Sequence, residues 1–97
     1  MNLSSSDIEL IKNVLIGKPV KRAFLFGSFT RGEADDTSDV DILVELDYTK
    51  HIGIGFVKLK QQLEEVLHKK VDLVTEKSIS QHLLPFINHD KQLIYER

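Results

Sequence analysis

This sequence predicts a small α/β (α+β) fold, a mixed sheet of three to four strands with helices packed on one face, and three observations carry the prediction. Two segments, residues 8–15 and 56–67, repeat apolar side chains at helical spacing. Three short runs rich in β-formers, residues 20–26, 40–46 and 71–74, read as strands. The longer helical pattern lies between the second and third runs, and a strand, helix, strand unit favours a right-handed crossover joining parallel neighbours. Ninety-seven residues amount to one domain, 1–97, with an adequate but small core.

Taken in order, Ser6-Asp7-Ile8-Glu9 fits a capping box, and Ile8, Ile11, Val14 and Leu15 then recur along one face until Gly17 and Pro19 stop the helix. The first strand, VKRAFLF, runs into Gly27, after which a short helix has room to start at Ser28. In the second strand, VDILVEL, alternation puts Val40, Ile42, Val44 and Leu46 on one face and Asp39, Asp41, Leu43 and Glu45 on the other. The apolar face should meet the helices. After a glycine-containing loop at 51–55, Phe56, Leu59, Leu63, Val66 and Leu67 mark the buried side of the long helix, and Lys69-Lys70 at its end complements the helix dipole. The third strand is Val71-Asp72-Leu73-Val74. Ser78 or Ser80 can cap a last helix through Leu83 and Leu84 that Pro85 shortens or kinks, and Leu93-Ile94-Tyr95 adds a short final strand. The first two strands, joined by a shorter link, are free to pair antiparallel. That arrangement gathers Gly27, Ser28, Asp39, Asp41 and Asp72 at one end of the sheet.

Composition narrows the function. A net charge of −2 offers no basic face for nucleic acid, so direct nucleic-acid binding is not expected. The absence of cysteine excludes disulfides and thiolate metal sites and fits a reducing compartment. No apolar run reaches the roughly 20 residues that span a bilayer, and the polar start does not resemble a signal peptide. These point to a cytoplasmic protein with no membrane partner. The four histidines are scattered without metal-ligand spacing.

Charge is concentrated in one place. Between Gly32 and Asp47 stand seven acidic residues, Glu33, Asp35, Asp36, Asp39, Asp41, Glu45 and Asp47, with no lysine or arginine among them. Gly27 permits a sharp turn that exposes backbone N–H groups beside the Ser28 hydroxyl, a surface suited to phosphate oxygens. Asp39 and Asp41, two residues apart, share a strand face and supply hard oxygen donors, and Mg²⁺ favours one or two carboxylates with water and substrate phosphates completing its shell. Asp72, one strand over, can complete the site. Two ions about 3.5–4 Å apart would stabilise the attacking and leaving oxygens of an in-line phosphoryl displacement.

Gly27-Ser28, ten residues, then Asp39-Val40-Asp41, with Asp72 on a later apolar strand, resembles the nucleotidyltransferase fold of the DNA polymerase β superfamily, and most closely its minimal nucleotidyltransferases (MNT). The similarity covers essentially the whole chain, including Arg31-Gly32, Ser38 and the closing Leu93-Ile94-Tyr95. The resemblance implies that Gly27 and Ser28 hold the β- and γ-phosphates of ATP, that Asp39 and Asp41 ligate two Mg²⁺ ions, and that Asp72 binds the catalytic ion and helps activate an acceptor hydroxyl. It also implies transfer of AMP with release of pyrophosphate. Arg31 is a phosphate contact or an ion-pair partner of Glu33, Asp35 or Asp36. Larger relatives carry extra acceptor-binding domains, so the acceptor should arrive on another protein. Members of this kind pair with a HEPN-domain ribonuclease toxin, as its antitoxin, and some adenylylate a tyrosine of that toxin. The alternatives are a non-catalytic antitoxin that occludes the toxin and a small-molecule nucleotidyltransferase of the aminoglycoside type.

Blander readings stand beside these. Asp39 and Asp41 alone would be ordinary surface acids at a strand end, Gly27-Ser28 would serve equally as a strand-ending turn with a helix cap, and Asp72 would be a strand-edge acid. Ser38 shapes the turn before the aspartates. What favours chemistry is the ordered combination.

Overall fold

A reciprocal pair of hydrogen bonds starts the chain's first helix. The Ser4 hydroxyl accepts the Asp7 N–H at 3.1 Å and the Asp7 carboxylate accepts the Ser4 N–H at 3.2 Å, so helix α1 occupies Ser5–Leu15. The box therefore closes two residues earlier than Ser6 to Glu9, because the shorter aspartate closes the same pair as well as glutamate does. The computed structural model describes residues 3–35, 37–50 and 52–97, with Arg31 described in its backbone alone.

The remaining elements are β1 Val20–Phe26, α2 Ser28–Arg31, β2 Val40–Leu46, α3 Gly55–Leu67, β3 Val71–Thr75, α4 Leu84–Asp90 and β4 Gln92–Glu96. They form one four-stranded mixed sheet in the order β3-β2-β1-β4. β1 pairs antiparallel with β2 and with β4, whereas β2 and β3, joined through α3, are parallel. The expected architecture is the observed one.

The core lies on one face of the sheet. Ile11 and Leu15 of α1 and Leu59, Leu63 and Leu67 of α3 pack with Val20, Ala23, Leu25, Val40, Ile42, Val44, Val71 and Leu73 in one buried cluster. Fully burying an aliphatic side chain of this size contributes about 1.5–3 kcal/mol, so the helical spacing of 11, 15, 59 and 63 is what clamps both helices onto the strands.

The opposite face is graded along the strands. Arg22 opposes Glu45 and Glu96 at one end, Phe24 opposes Leu43 and Leu93 in the middle, and Phe26 opposes Asp41 at the other. Leu43, grouped by alternation with the polar residues, is only 2% exposed. Its strand is central, and Phe24 and Val74 flank it in register on both sides.

The last helix also departs from expectation. Ser78 closes a local turn instead of capping, its hydroxyl accepting the Thr75 N–H at 3.1 Å. Pro85 lies in the first turn of α4 rather than shortening its end, a position where a missing N–H leaves no helical bond unmade.

Candidate functional site

The strand register assembles the site. Phe26 lies opposite Asp41, and Asp41 lies beside Asp72 across the parallel β2-β3 pair. Partners in register point to the same face, so Asp41 and Asp72 stand side by side at the end of the sheet where β1 turns. Asp41 is half-buried and Asp72 exposed. Asp39, exposed, precedes β2, whose first residue is tied to the β3 entry by the Val40 N–H donating to the Lys70 carbonyl at 2.9 Å.

Gly27 meets this pair directly. Its backbone sits at φ 79°, ψ −150°, a region essentially reserved for glycine. A Cβ there would overlap the Asp41 Oδ2 and stand 3.1 Å from its Cγ. The glycine is thus demanded twice, by the turn and by the carboxylate packed against it. The turn is braced from below: the Thr30 hydroxyl donates to the Gly27 carbonyl at 2.7 Å and the Thr30 N–H at 3.0 Å. Ser28 then opens α2, and Phe29 anchors it in the core at 3% exposure.

The block of seven acidic residues separates into groups with different partners. Asp35 takes the N–H and hydroxyl of Thr37 at 2.9 and 2.7 Å, and its backbone N–H donates to Ser38 Oγ at 3.0 Å. These bonds, Thr37's foremost, hold the Asp35 carboxyl below its ordinary value. Ser38 therefore shapes the turn, as its position suggests. Glu45 pairs with Arg22 at 2.7 Å on the far half of the sheet. Asp47, beyond the end of β2, accepts from Thr49 and pairs with Arg97 at 3.0 Å, which draws its pKa down to about 2. Asp39 and Asp41 lie at the β1 turn, where Asp72 of β3 joins them. Asp36 and the Arg31 side chain lie outside the described residues.

Among the described residues no three carboxylate or imidazole groups converge into a closed metal cage. The arrangement is a pair of aligned carboxylates, Asp41 and Asp72, with Asp39 at its edge. Hard oxygens in that number suit an ion that keeps most of its shell for water and phosphate. A cavity of about 450 Å³ lined by Pro19, Leu46, Asp47, Tyr48 and Ile52 lies at the far end of β2, away from this site.

Two supporting residues are not evident from sequence. Thr30 braces Gly27, and its only signal is a hydroxyl three residues past a glycine. Glu64 on α3 accepts the Val71 N–H at 2.9 Å, fixing the start of β3 one residue before Asp72; no sequence pattern marks it.

Comparison with known proteins identifies the family and the fold. Residues 9–97 match the family model for polymerase beta nucleotidyltransferases. A Methanocaldococcus jannaschii protein, provisionally named as a protein adenylyltransferase, is 46% identical over 79 residues, 81% of this chain and 83% of its own. A solved structure described as a minimal nucleotidyltransferase superposes with a TM-score of 0.78 at 28% identity, over 95% of each chain. A solved complex of tri-AMPylated HEPN toxin with MNT antitoxin, from Shewanella oneidensis, matches with a TM-score of 0.72 at 26% identity, over 98% of this chain and 74% of that one. Sequence, register and these likenesses converge: the chain belongs to the polymerase beta nucleotidyltransferase family.

Proposed function

We propose that the protein is a Mg²⁺-dependent protein adenylyltransferase that moves AMP from ATP to a tyrosine hydroxyl of a HEPN-type toxin, with which it forms a hetero-oligomer, and so acts as the toxin's antitoxin. One observation carries the reading: the register that sets Asp41 beside Asp72 also packs Gly27 against Asp41, so phosphate turn and carboxylates form one surface. The AMPylated toxin held by the Shewanella antitoxin supports the choice of acceptor class.

Asp39, Asp41 and Asp72 would hold Mg²⁺, two ions in the fullest form. When bound, the metal offsets the charge of the carboxylates and polarises the phosphate oxygens toward displacement. Gly27 and Ser28 would orient the β- and γ-phosphates, the serine hydroxyl donating to a phosphate oxygen. Arg31 serves as a further phosphate contact. The acceptor oxygen attacks the α-phosphorus, the bond to the bridging oxygen breaks, and pyrophosphate leaves with the electron pair. The hydroxyl proton passes to an Asp72 carboxylate oxygen, whose exposed position leaves it open to an acceptor brought by another protein.

The test is incubation with labelled ATP, Mg²⁺ and a purified HEPN partner. Label should appear on the partner with the wild-type chain and disappear with Asp41→Asn. A folded, partner-bound wild-type protein that transfers nothing would refute catalysis. A second reading, neutralisation by occlusion, is favoured by exposed apolar side chains on α3 and around α4: Ile54, Val57, Leu83 and Phe86 are between 52% and 75% exposed. If the combined Asp39→Asn and Asp41→Asn variant still silences the toxin, occlusion suffices.

A further inference from the structure

We propose that Lys69 is a nucleotide-binding residue whose ammonium group meets the β- and γ-phosphates of the donor beside the Gly27-Ser28 turn, an assignment that rests on the nucleotidyltransferase reading of that turn. Lys69 does not lie on a helix. α3 ends at Leu67, and His68 turns the chain in the left-handed region at φ 53°, ψ 37°, redirecting the next two residues toward the carboxylate end of the sheet. There the Lys70 carbonyl receives the Val40 N–H, which ties the segment between Asp39 and Asp41.

The side chain of Lys69 is half-buried, and its Nζ lies 5.9 Å from the centroid of the Phe29 ring. Phe29 immediately follows Ser28 and is itself fixed in the core, so the ammonium stands at the flank of the phosphate turn. No carboxylate of the described residues reaches within 4.0 Å of it, whereas Lys12 and Arg97 each have one and Arg22 has two. Among the described residues, a half-buried ammonium beside an aromatic ring with no carboxylate in reach is incompletely compensated. The helix dipole explains Lys69 less well, because the interaction fades beyond the last turn and the chain has already reversed at His68.

The chemistry of the site asks for such a group. Asp39, Asp41 and Asp72 crowd one end of the sheet, and a triphosphate entering there is itself strongly anionic. Lysine is an effective point charge for phosphate. A position beside Ser28 selects the phosphate tail rather than the nucleoside, and the same contact would stabilise departing pyrophosphate.

Calorimetric titration of ATP, AMP and inorganic pyrophosphate, each with Mg²⁺, into wild type, Lys69→Met, Lys69→Arg and Lys77→Met tests this. Lys77 is a suitable control because its Nζ sits 3.8 Å over the Tyr48 ring, past the opposite end of β3. We expect Lys69→Met to weaken ATP and pyrophosphate about tenfold, the size of one charged hydrogen bond, while AMP changes less than about twofold. Lys69→Arg should restore most of the loss, and Lys77→Met should bind all three as wild type does. Unchanged ATP and pyrophosphate affinity in a folded Lys69→Met, or an equal loss for AMP, overturns the assignment. A wild-type protein that binds neither ATP nor pyrophosphate overturns it together with the nucleotide reading of the turn. A wild type that binds ATP with the expected Lys69 dependence, yet labels no partner, supports Lys69 while refuting the adenylyltransferase proposal.

Discussion

Replacing Gly27 by alanine should damage both stability and site, by an amount the structure lets one divide. The first part is backbone: a non-glycine residue held at φ 79°, ψ −150° costs about 1–3 kcal/mol. The second is collision, since the new Cβ would overlap the Asp41 carboxylate. Relief requires Asp41 to leave its rotamer, which costs about 0.5–1.5 kcal/mol. Gly27→Ala should therefore lose about 1.5–4.5 kcal/mol by urea denaturation, the two contributions taken together. In an Asp41→Ala background the collision vanishes, so the glycine substitution should cost only its backbone part. The double-mutant cycle should thus return a coupling of about 0.5–1.5 kcal/mol. Transfer activity should fall in Gly27→Ala as far as in Asp41→Asn, because the same carboxylate is displaced. Equal costs of Gly27→Ala in both backgrounds would refute the argument that Asp41 sets the glycine.

Other perturbations have equally definite outcomes. Leu63→Ala empties a position of α3 with 0% exposure in the core cluster and should cost about 2–5 kcal/mol in chemical denaturation; a loss below about 1 kcal/mol would mean that α3 does not pack into the core there. Glu64→Ala strands the Val71 N–H and should cost about 1–3 kcal/mol, with Glu64→Gln, which keeps an acceptor, recovering most of it and of the transfer rate. Asp47 ionises at about 2 in the folded chain, below the ordinary value of about 3.9, so its contribution is complete above pH ~4 and lost as pH falls from ~4 towards ~2. Asp47→Asn should accordingly be less stable than wild type at pH 6, and pH-dependent unfolding should show the gap closing in that acid window; a gap independent of pH would assign the loss to something other than charge.

Much of the molecule could be read from local pattern. Period-two alternation in residues 40–46 and 3.6-residue spacing in 8–15 and 56–67 are one-dimensional records of which face each backbone buries. A parallel β2-β3 pair follows from a helix-length connection between them. That Gly27, Ser28, Asp39, Asp41 and Asp72 gather at one end of the sheet follows from strand order, and the register sets Asp41 beside Asp72 with Gly27 against Asp41. Where local reading slipped, packing or a competing hydrogen bond decided. Leu43 shares alternation with Asp41 and Glu45 but is buried because Phe24 and Val74 enclose it. Ser78 bonds back to Thr75 instead of capping, and Pro85 opens a helix it was expected to shorten.

By itself, then, the sequence determined the elements, the alternation of their faces and the residue types able to bind phosphate and metal, since these depend on neighbours within a few positions. The tertiary structure decided which of the clustered acids share a site: Glu45 and Asp47 are drawn to Arg22 and Arg97, Asp35 to Thr37 and Ser38, and Asp41 to the side of Asp72. It also decided that Gly27 must lack a side chain because of Asp41, and that Lys69 leaves the helix for the flank of Phe29. Apart from the local turn at Asp35, those facts join residues between 14 and 50 positions apart, and only strand register and side-chain packing bring such residues within contact distance.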